Sequence, residues 1–160
     1  MEQHKNIAMP KIITYTPQYR DVFIALNRQW IETYFRIEAS DTETFKHVEQ
    51  IIDDGGQIFI ALADDGTPVG CCALKNHLEA DCHELAKMAV SPAYQGQHIG
   101  HMLGEALLAY AASHGVKRIF LEGNTRLCAS IALYRSLGFT EVELSGQRYD
   151  RCDIIMEKWL

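Results

Sequence analysis

The order of periodicities in this sequence predicts an α/β domain on a mixed, twisted sheet, mostly antiparallel, with one strand-helix-strand crossover in the middle. Three observations carry that reading. Extended runs and helical stretches follow one another as β-α-α-β-β-β-α-β-α-β-β. The pair Asp65-Gly66 supplies the turn of a tight hairpin between two apolar runs. A glycine-punctuated segment from Ser91 to Tyr110 then passes directly into a helix. The 160 residues suit a single domain spanning 1–160 that buries roughly two thirds of the surface its unfolded chain exposes.

Each element has its own local reason. Lys11 to Tyr15 alternates as a short strand. Pro17 opens a helix to about Phe35, with Val22, Phe23, Leu26, Trp30, Ile31 and Tyr34 spaced by threes and fours. In "SDTE", Ser40 and Glu43 read as a capping box for a second helix, which ends at Gly55-Gly56. "QIFIAL" and "PVGCCAL" flank the hairpin turn, and "CHELAKMAV" is a third extended run. The segment after Ser91 becomes a helix that Gly115 closes, followed by the strand "RIFLEGN" and a helix "SIALYRSLGF" ending on Gly138. Two last strands are expected over roughly Thr140 to Leu144 and Tyr149 to Lys158.

Composition removes several function classes. Nearly half the residues are apolar, as in a folded globular domain rather than a disordered one. A net charge of -6 argues against a nucleic-acid partner, which calls for clustered Lys and Arg. The opening "MEQHKNIAMP" lacks the apolar core of a leader, and nothing resembles the run of about eighteen apolar residues that a membrane span needs. Five cysteines without CxxC spacing are expected as reduced thiols, consistent with cytoplasm. Cys82 and His83 lack two further ligands at a suitable spacing, so no metal is expected.

A strand, a glycine loop and a helix N-terminus together present unpaired amides to an anion, usually a phosphate. Neither GxGxxG nor GxxxxGK[ST] fits Gly96, Gly100 and Gly104, which fall four apart without a lysine. From these residues alone, the glycines serve either a ligand or close packing of the helix on the sheet.

The combination "ELAKMAVSPAYQGQHIGHML" with a later "N-x5-SIALYRSLGF" resembles the GNAT superfamily of acyl-CoA-dependent N-acetyltransferases, over roughly Lys11 to Lys158. The resemblance implies a GNAT-like fold in which a central parallel pair of strands splays apart between flanking helices. It implies acetyl-CoA as cosubstrate, its pyrophosphate on the loop Gln95, Gly96, Gln97, His98, Ile99 and Gly100, with His101 following. His98 stands where the family usually has glycine; its ring either crowds the phosphates or, protonated, helps hold them. Met88, Ala89 and Val90 would offer main-chain partners to the pantetheine arm, and Asn124 a side-chain one. An amide freed by the splay would face the thioester carbonyl. Tyr134 would be the general acid at the coenzyme sulfur, with transfer direct in a ternary complex.

An ammonium acceptor must lose a proton before it attacks. Glu84, at the start of the splayed strand, is expected to take it, directly or through water, with Glu122 as competitor and His77, Glu79 and His83 as weaker candidates. Cys128 reads as packing or incidental. The acceptor, a small-molecule or peptide amine, is expected between residues 27–43 and 146–157. Glu32, Glu38, Asp41, Glu43, Trp30, Tyr34 and Tyr149 would welcome a cation there, while Arg148 and Arg151 would grip a carboxylate. A non-catalytic acyl-CoA-binding module and a plain interaction domain are the alternatives, and a homodimer is compatible with the family.

Overall fold

A computed structural model of the chain describes residues 10–146 and 148–160. The opening segment "MEQHKNIAMP" falls almost entirely outside them, as does Gln147 of the expected acceptor segment. Among the described residues seven strands form one sheet in the order β1-β2-β3-β4-β5-β7-β6. They are β1 (Lys11–Thr14), β2 (Gln57–Leu62), β3 (Pro68–His77), β4 (Cys82–Val90), β5 (Arg118–Gly123), β6 (Thr140–Val142) and β7 (Ile154–Trp159). Only β4 and β5 run parallel, and every other neighbouring pair is antiparallel. The helices are α1 (Arg20–Tyr34), α2 (Ala39–Lys46), α3 (Gln50–Asp53), α4 (Ile99–Ser113) and α5 (Cys128–Ser136). Among the described residues no helix is long and apolar enough to cross a membrane.

Both faces of the sheet are covered, which explains why β2 and β3 read as continuous apolar runs. Phe59, Ala61, Cys72 and Leu74 face one core, built with Leu103, Leu107 and Ala111 of α4. Their chain neighbours Ile58, Ile60, Cys71 and Ala73 face the other, with Phe23 and Leu26 of α1 and Ile51 of α3. Ile99, Leu103, Leu107 and Ala111 fall at every fourth position of α4 and are all buried. Each leucine contributes about 1.5–3 kcal/mol by leaving water.

Two expected boundaries move. The second helix breaks at His47 into α2 and α3, a turn that brings Phe45, Val48 and Ile51 all into the core. Its capping box lies two residues earlier than "SDTE" suggests: Glu38 is the N-cap and Asp41, not Glu43, returns its side chain to the Glu38 amide at 2.9 Å. The last strand starts at Ile154 rather than Tyr149. Residues 149–152 instead close a turn, with the Cys152 amide donating to the Tyr149 carbonyl at 3.0 Å, because Tyr149 and Arg151 reach inward to polar partners that a regular strand could not serve.

Gly56 has no room for a side chain, since a Cβ there would lie 2.0 Å from the Leu74 carbonyl oxygen. Gly56→Ala is therefore expected to cost at least about 3 kcal/mol by forcing two backbones apart. Urea unfolding of the two proteins measures it directly.

Candidate active site

The site begins with the way β4 leaves β5. The parallel pair is in register only at His83 with Ile119 and Glu84 with Phe120, although both strands continue. Beyond Glu84 the two strands diverge, and the residues that follow, Leu85 to Met88, line a cavity together with Glu122, Gly123 and Asn124 of the β5 side. A bulge coincides with the divergence: the β3–β4 register slips between Cys71 with Ala89 and Ala73 with Ala86. Lys87 absorbs the slip in a left-handed conformation, φ 54°. The bulge also resets the alternation, so that Leu85 and then Met88 face the α4 core while Ala89 faces α1.

Lys87 is almost fully buried, and its ammonium is tied to Asp41 at 2.5 Å and to the Tyr149 hydroxyl at 3.0 Å. Asp41, at 0 % exposure, also takes two hydrogen bonds from Arg151, at 2.8 and 2.9 Å. Arg151 reaches Glu38 as well, at 2.9 Å, and lies over the Tyr149 ring at 4.2 Å. Burial works against ionised Asp41, but Arg151 and Lys87 outweigh it and hold its carboxyl well below the usual carboxylate range. Burial pulls the Lys87 ammonium down, with Asp41 opposing. One acid thus ties α2, the β4 bulge and the turn before β7 together.

Two cavities meet beside this node. The inner one, about 70 Å³, is lined by Glu84, Lys87, Glu122, Tyr149 and Arg151, with Trp30 and Phe35 of the α1 end among its apolar walls. The outer cleft, about 920 Å³, runs along Met88 to Val90, Gln95, Gly96 and His98 to His101, toward Cys128. Trp30, Met88, Leu127, Ser130 and Tyr134 border both.

The outer cleft fits an anionic ligand. Among the described residues, the six consecutive amides from Gly96 to His101 donate to no acceptor, and they stand at the N-terminus of the 15-residue helix α4. Gly96 and His98 are both left-handed, φ 79° and 62°, which coils successive amides toward one side. His98 thus keeps the backbone shape that glycine normally supplies, and its ring is exposed at the cleft. Gln97, named with this loop, does not line the cleft. Gln95 spends its side-chain amide on the Val90 carbonyl at 3.3 Å. His101 bonds Glu105 at 2.6 Å and Ser136 at 3.2 Å. Gly100 and Gly104 do serve packing, chiefly against α5 and the Leu137 that caps it: an added Cβ would meet Leu133 at 3.0 Å at Gly100 and collide with Leu137 at Gly104.

Glu84 and Glu122 both border the inner cavity. Glu84 is 3 % exposed; its Oε1 pairs with His77 Nε2 at 2.7 Å, and its Oε2 accepts no hydrogen bond among the described residues. Glu122 accepts from the Tyr149 amide at 3.0 Å, and burial first, then the Glu84 charge, pushes its carboxyl up. The Tyr134 hydroxyl has no partner among the described residues, and burial pushes it up to about 12. Tyr149 reaches about 12 too, through burial and then Glu84.

The other expected residues divide. Asn124 borders the inner cavity but engages the Arg151 carbonyl at 2.8 Å and the Arg126 amide at 2.9 Å. Glu32 and Glu43 sit exposed beside Arg28 and His47, Glu79 and Arg148 are exposed, and Glu38 and Asp41 are consumed by Arg151 and Lys87. Lys87 was absent from the sequence reading. Its signal was a single cation in an apolar strand whose alternation breaks at Ala86-Lys87-Met88.

A model of the "Acetyltransferase (GNAT) family" matches residues 23–139. Human N-acetylaspartate synthetase is 28 % identical over 118 residues, covering 74 % of this chain but only 37 % of that protein. Among solved structures, an acetyltransferase of the GNAT family from Staphylococcus aureus superposes at a TM-score of 0.83, with 20 % identity over 94 % of this chain and 98 % of the other. The N-acetylglutamate synthase of Neisseria gonorrhoeae, solved with coenzyme A and N-acetylglutamate, gives 0.72 with 24 % identity over 96 % of this chain and 35 % of the other.

Removing the Asp41 charge would leave the buried Lys87 ammonium without its counter-ion and Arg151 with Glu38 alone, so Asp41→Asn is expected to lose about 3–5 kcal/mol of stability. The folded carboxyl lies below its unfolded value, so its contribution is complete above about pH 4 and is lost as pH falls further. Wild type should therefore lose stability below pH 4 more steeply than Asp41→Asn in paired denaturation curves.

Proposed function

This chain belongs to the acetyltransferase (GNAT) family, and we propose that it moves an acetyl group from acetyl-CoA to a primary amine of a small molecule or peptide, with both held at once. The observation that carries this reading is the meeting of a cleft lined by free amides with an acid-lined cavity across one wall that contains Tyr134. The names of relatives support it in kind: one is an N-acetylaspartate synthetase, and another was solved with N-acetylglutamate.

When bound, acetyl-CoA supplies an activated acyl thioester. The amides of Gly96 to His101, aided by the α4 dipole, hold its phosphates, and the unpaired edge of Met88 to Val90 takes the pantetheine arm. Glu84, with Oε2 unengaged, accepts the ammonium proton that would otherwise block attack. Tyr134 stands at the wall where acyl group and amine meet. A phenol near 12 keeps its proton throughout the physiological range. Complete transfer to a thiolate, whose acid lies near about 8.5, is uphill, so the hydroxyl acts chiefly by hydrogen-bonding the sulfur as negative charge grows there. A non-catalytic acyl-CoA-binding module would have no use for the acid-lined cavity.

Calorimetric titration with acetyl-CoA, followed by thiol release with L-aspartate, L-glutamate, spermidine and an alanyl peptide, tests the reading. Saturable one-to-one binding and release with at least one amine are expected. Binding without release with any of them would favour the non-catalytic module, and no binding at millimolar coenzyme would overturn the whole assignment. Tyr134→Phe should keep coenzyme affinity and lower kcat about 10- to 100-fold; unchanged turnover would exclude its role.

A further inference from the structure

We propose that His77 is a proton relay that carries the acceptor's proton from Glu84 out to solvent, resting on the reading of Glu84 as the base. The Glu84 side chain is 4 % exposed and the His77 ring 38 %, with 2.7 Å between Oε1 and Nε2. The register of β3 and β4 sets Glu84 opposite Lys75 and His77 opposite Cys82, so Glu84 and His77 are diagonal neighbours, within reach of long side chains. Phe120 of β5 lies against the imidazole, with ring centroids 5.6 Å apart. A carboxylate bordering the inner cavity thus has one oxygen without a partner among the described residues and the other on a half-exposed imidazole.

The relay answers a problem the burial creates. With coenzyme and acceptor in the two cavities, bulk water has no direct route to Glu84, yet the acid formed there must be emptied before the next turnover. An N–H bond of the acceptor ammonium breaks and an O–H bond forms on Glu84. With the neutral ring carrying its proton on Nδ1, that O–H turns to His77 and breaks as Nε2–H forms, which leaves Nε2–H donating to the Glu84 carboxylate. The imidazolium then releases its Nδ1 proton to water, and the ring exchanges its remaining proton through solvent. The balance is one neutral amine, Glu84 again a carboxylate and one proton in bulk.

Glu122 has no such outlet: its partners are the Tyr149 amide and the buried Cys152 thiol. The charges that bear on this pair come from every neighbouring element. Lys87 of β4, Glu122 of β5, Tyr149 of the turn before β7 and Cys82 of β4 interact with Glu84, and His83 of β4 interacts with His77.

The test compares His77→Ala, His77→Gln and Glu84→Gln at saturating acetyl-CoA with the best of the four amines named above. Both His77 variants should turn over about 10- to 100-fold more slowly with coenzyme KM within about twofold, because each deletes the relay and neither touches the cleft. Free imidazole in the buffer should restore much of the His77→Ala rate, increasingly as pH rises and more of it is the free base, while leaving Glu84→Gln unmoved. Glutamine can still donate a hydrogen bond to Oε1 but cannot carry a proton, so wild-type turnover in His77→Gln would reduce His77 to a positioning contact and overturn the relay. A slow His77→Ala that ignores imidazole would overturn it too. Undiminished turnover in Glu84→Gln would instead remove the base itself, and thiol release with none of the four amines would remove acetyl transfer and the relay together.

Discussion

Everything in the site depends on the parting of β4 from β5 after two paired residues. A parallel pair that continued in register would satisfy its own amides and carbonyls and leave no space between the strands. The bulge at Lys87 makes the parting compatible with continued pairing to β3 on the other side. A left-handed lysine is disfavoured on its own, and here it is held by Asp41, Tyr149 and, through Asp41, Arg151. Buried ion pairs are a poor source of net stability, since desolvation offsets much of their attraction. What this one supplies is geometry: three segments far apart in sequence can meet at Asp41 in only one arrangement.

The same network sorts the charges around the inner cavity. Lys87 and Arg151 are matched by Asp41 and Glu38 in direct contact, so neither basic side chain faces the cavity as a free cation. Among the described residues Glu84 touches no Lys or Arg and only the His77 ring, Glu122 touches no basic side chain, and the two acids repel one another, which contributes to the raised Glu122 carboxyl. An acidic cavity thus stands against an amide-lined cleft, so fields of opposite sign adjoin across one wall.

The chain order, the hairpin and the crossover were legible because they follow from periodicity and turn chemistry, which are local, whereas the parallel central pair was implied by the family resemblance. Glycine punctuation located the loop as well, and His98 turned out to reproduce the backbone angle expected of glycine there. Where the sequence misled, the cause was tertiary. Glu43 and Asp41 both offer a carboxylate for a capping box, and nothing local says that Asp41 is also required by Arg151 and Lys87. Tyr149 to Asp153 alternates like a strand, but the Tyr149 and Arg151 side chains are drawn to Lys87 on β4 and Asp41 on α2. Lys87 was missed because a lone cation in a strand reads as an edge residue until Asp41, 46 positions away in the chain, is seen beside it.

The distribution of thiols makes the molecule chemically addressable. Cys71, Cys72 and Cys152 are buried, and burial pushes Cys71 up to about 12 and Cys152 up to about 11, out of the range where thiolate forms and alkylation proceeds. Cys82 is half-buried and also shifted upward by burial, while Cys128 alone is exposed, on the lip of the outer cleft. A maleimide dye would therefore label this protein predominantly at one point without engineering, and at a point where the fluorophore reports whether the cleft is filled.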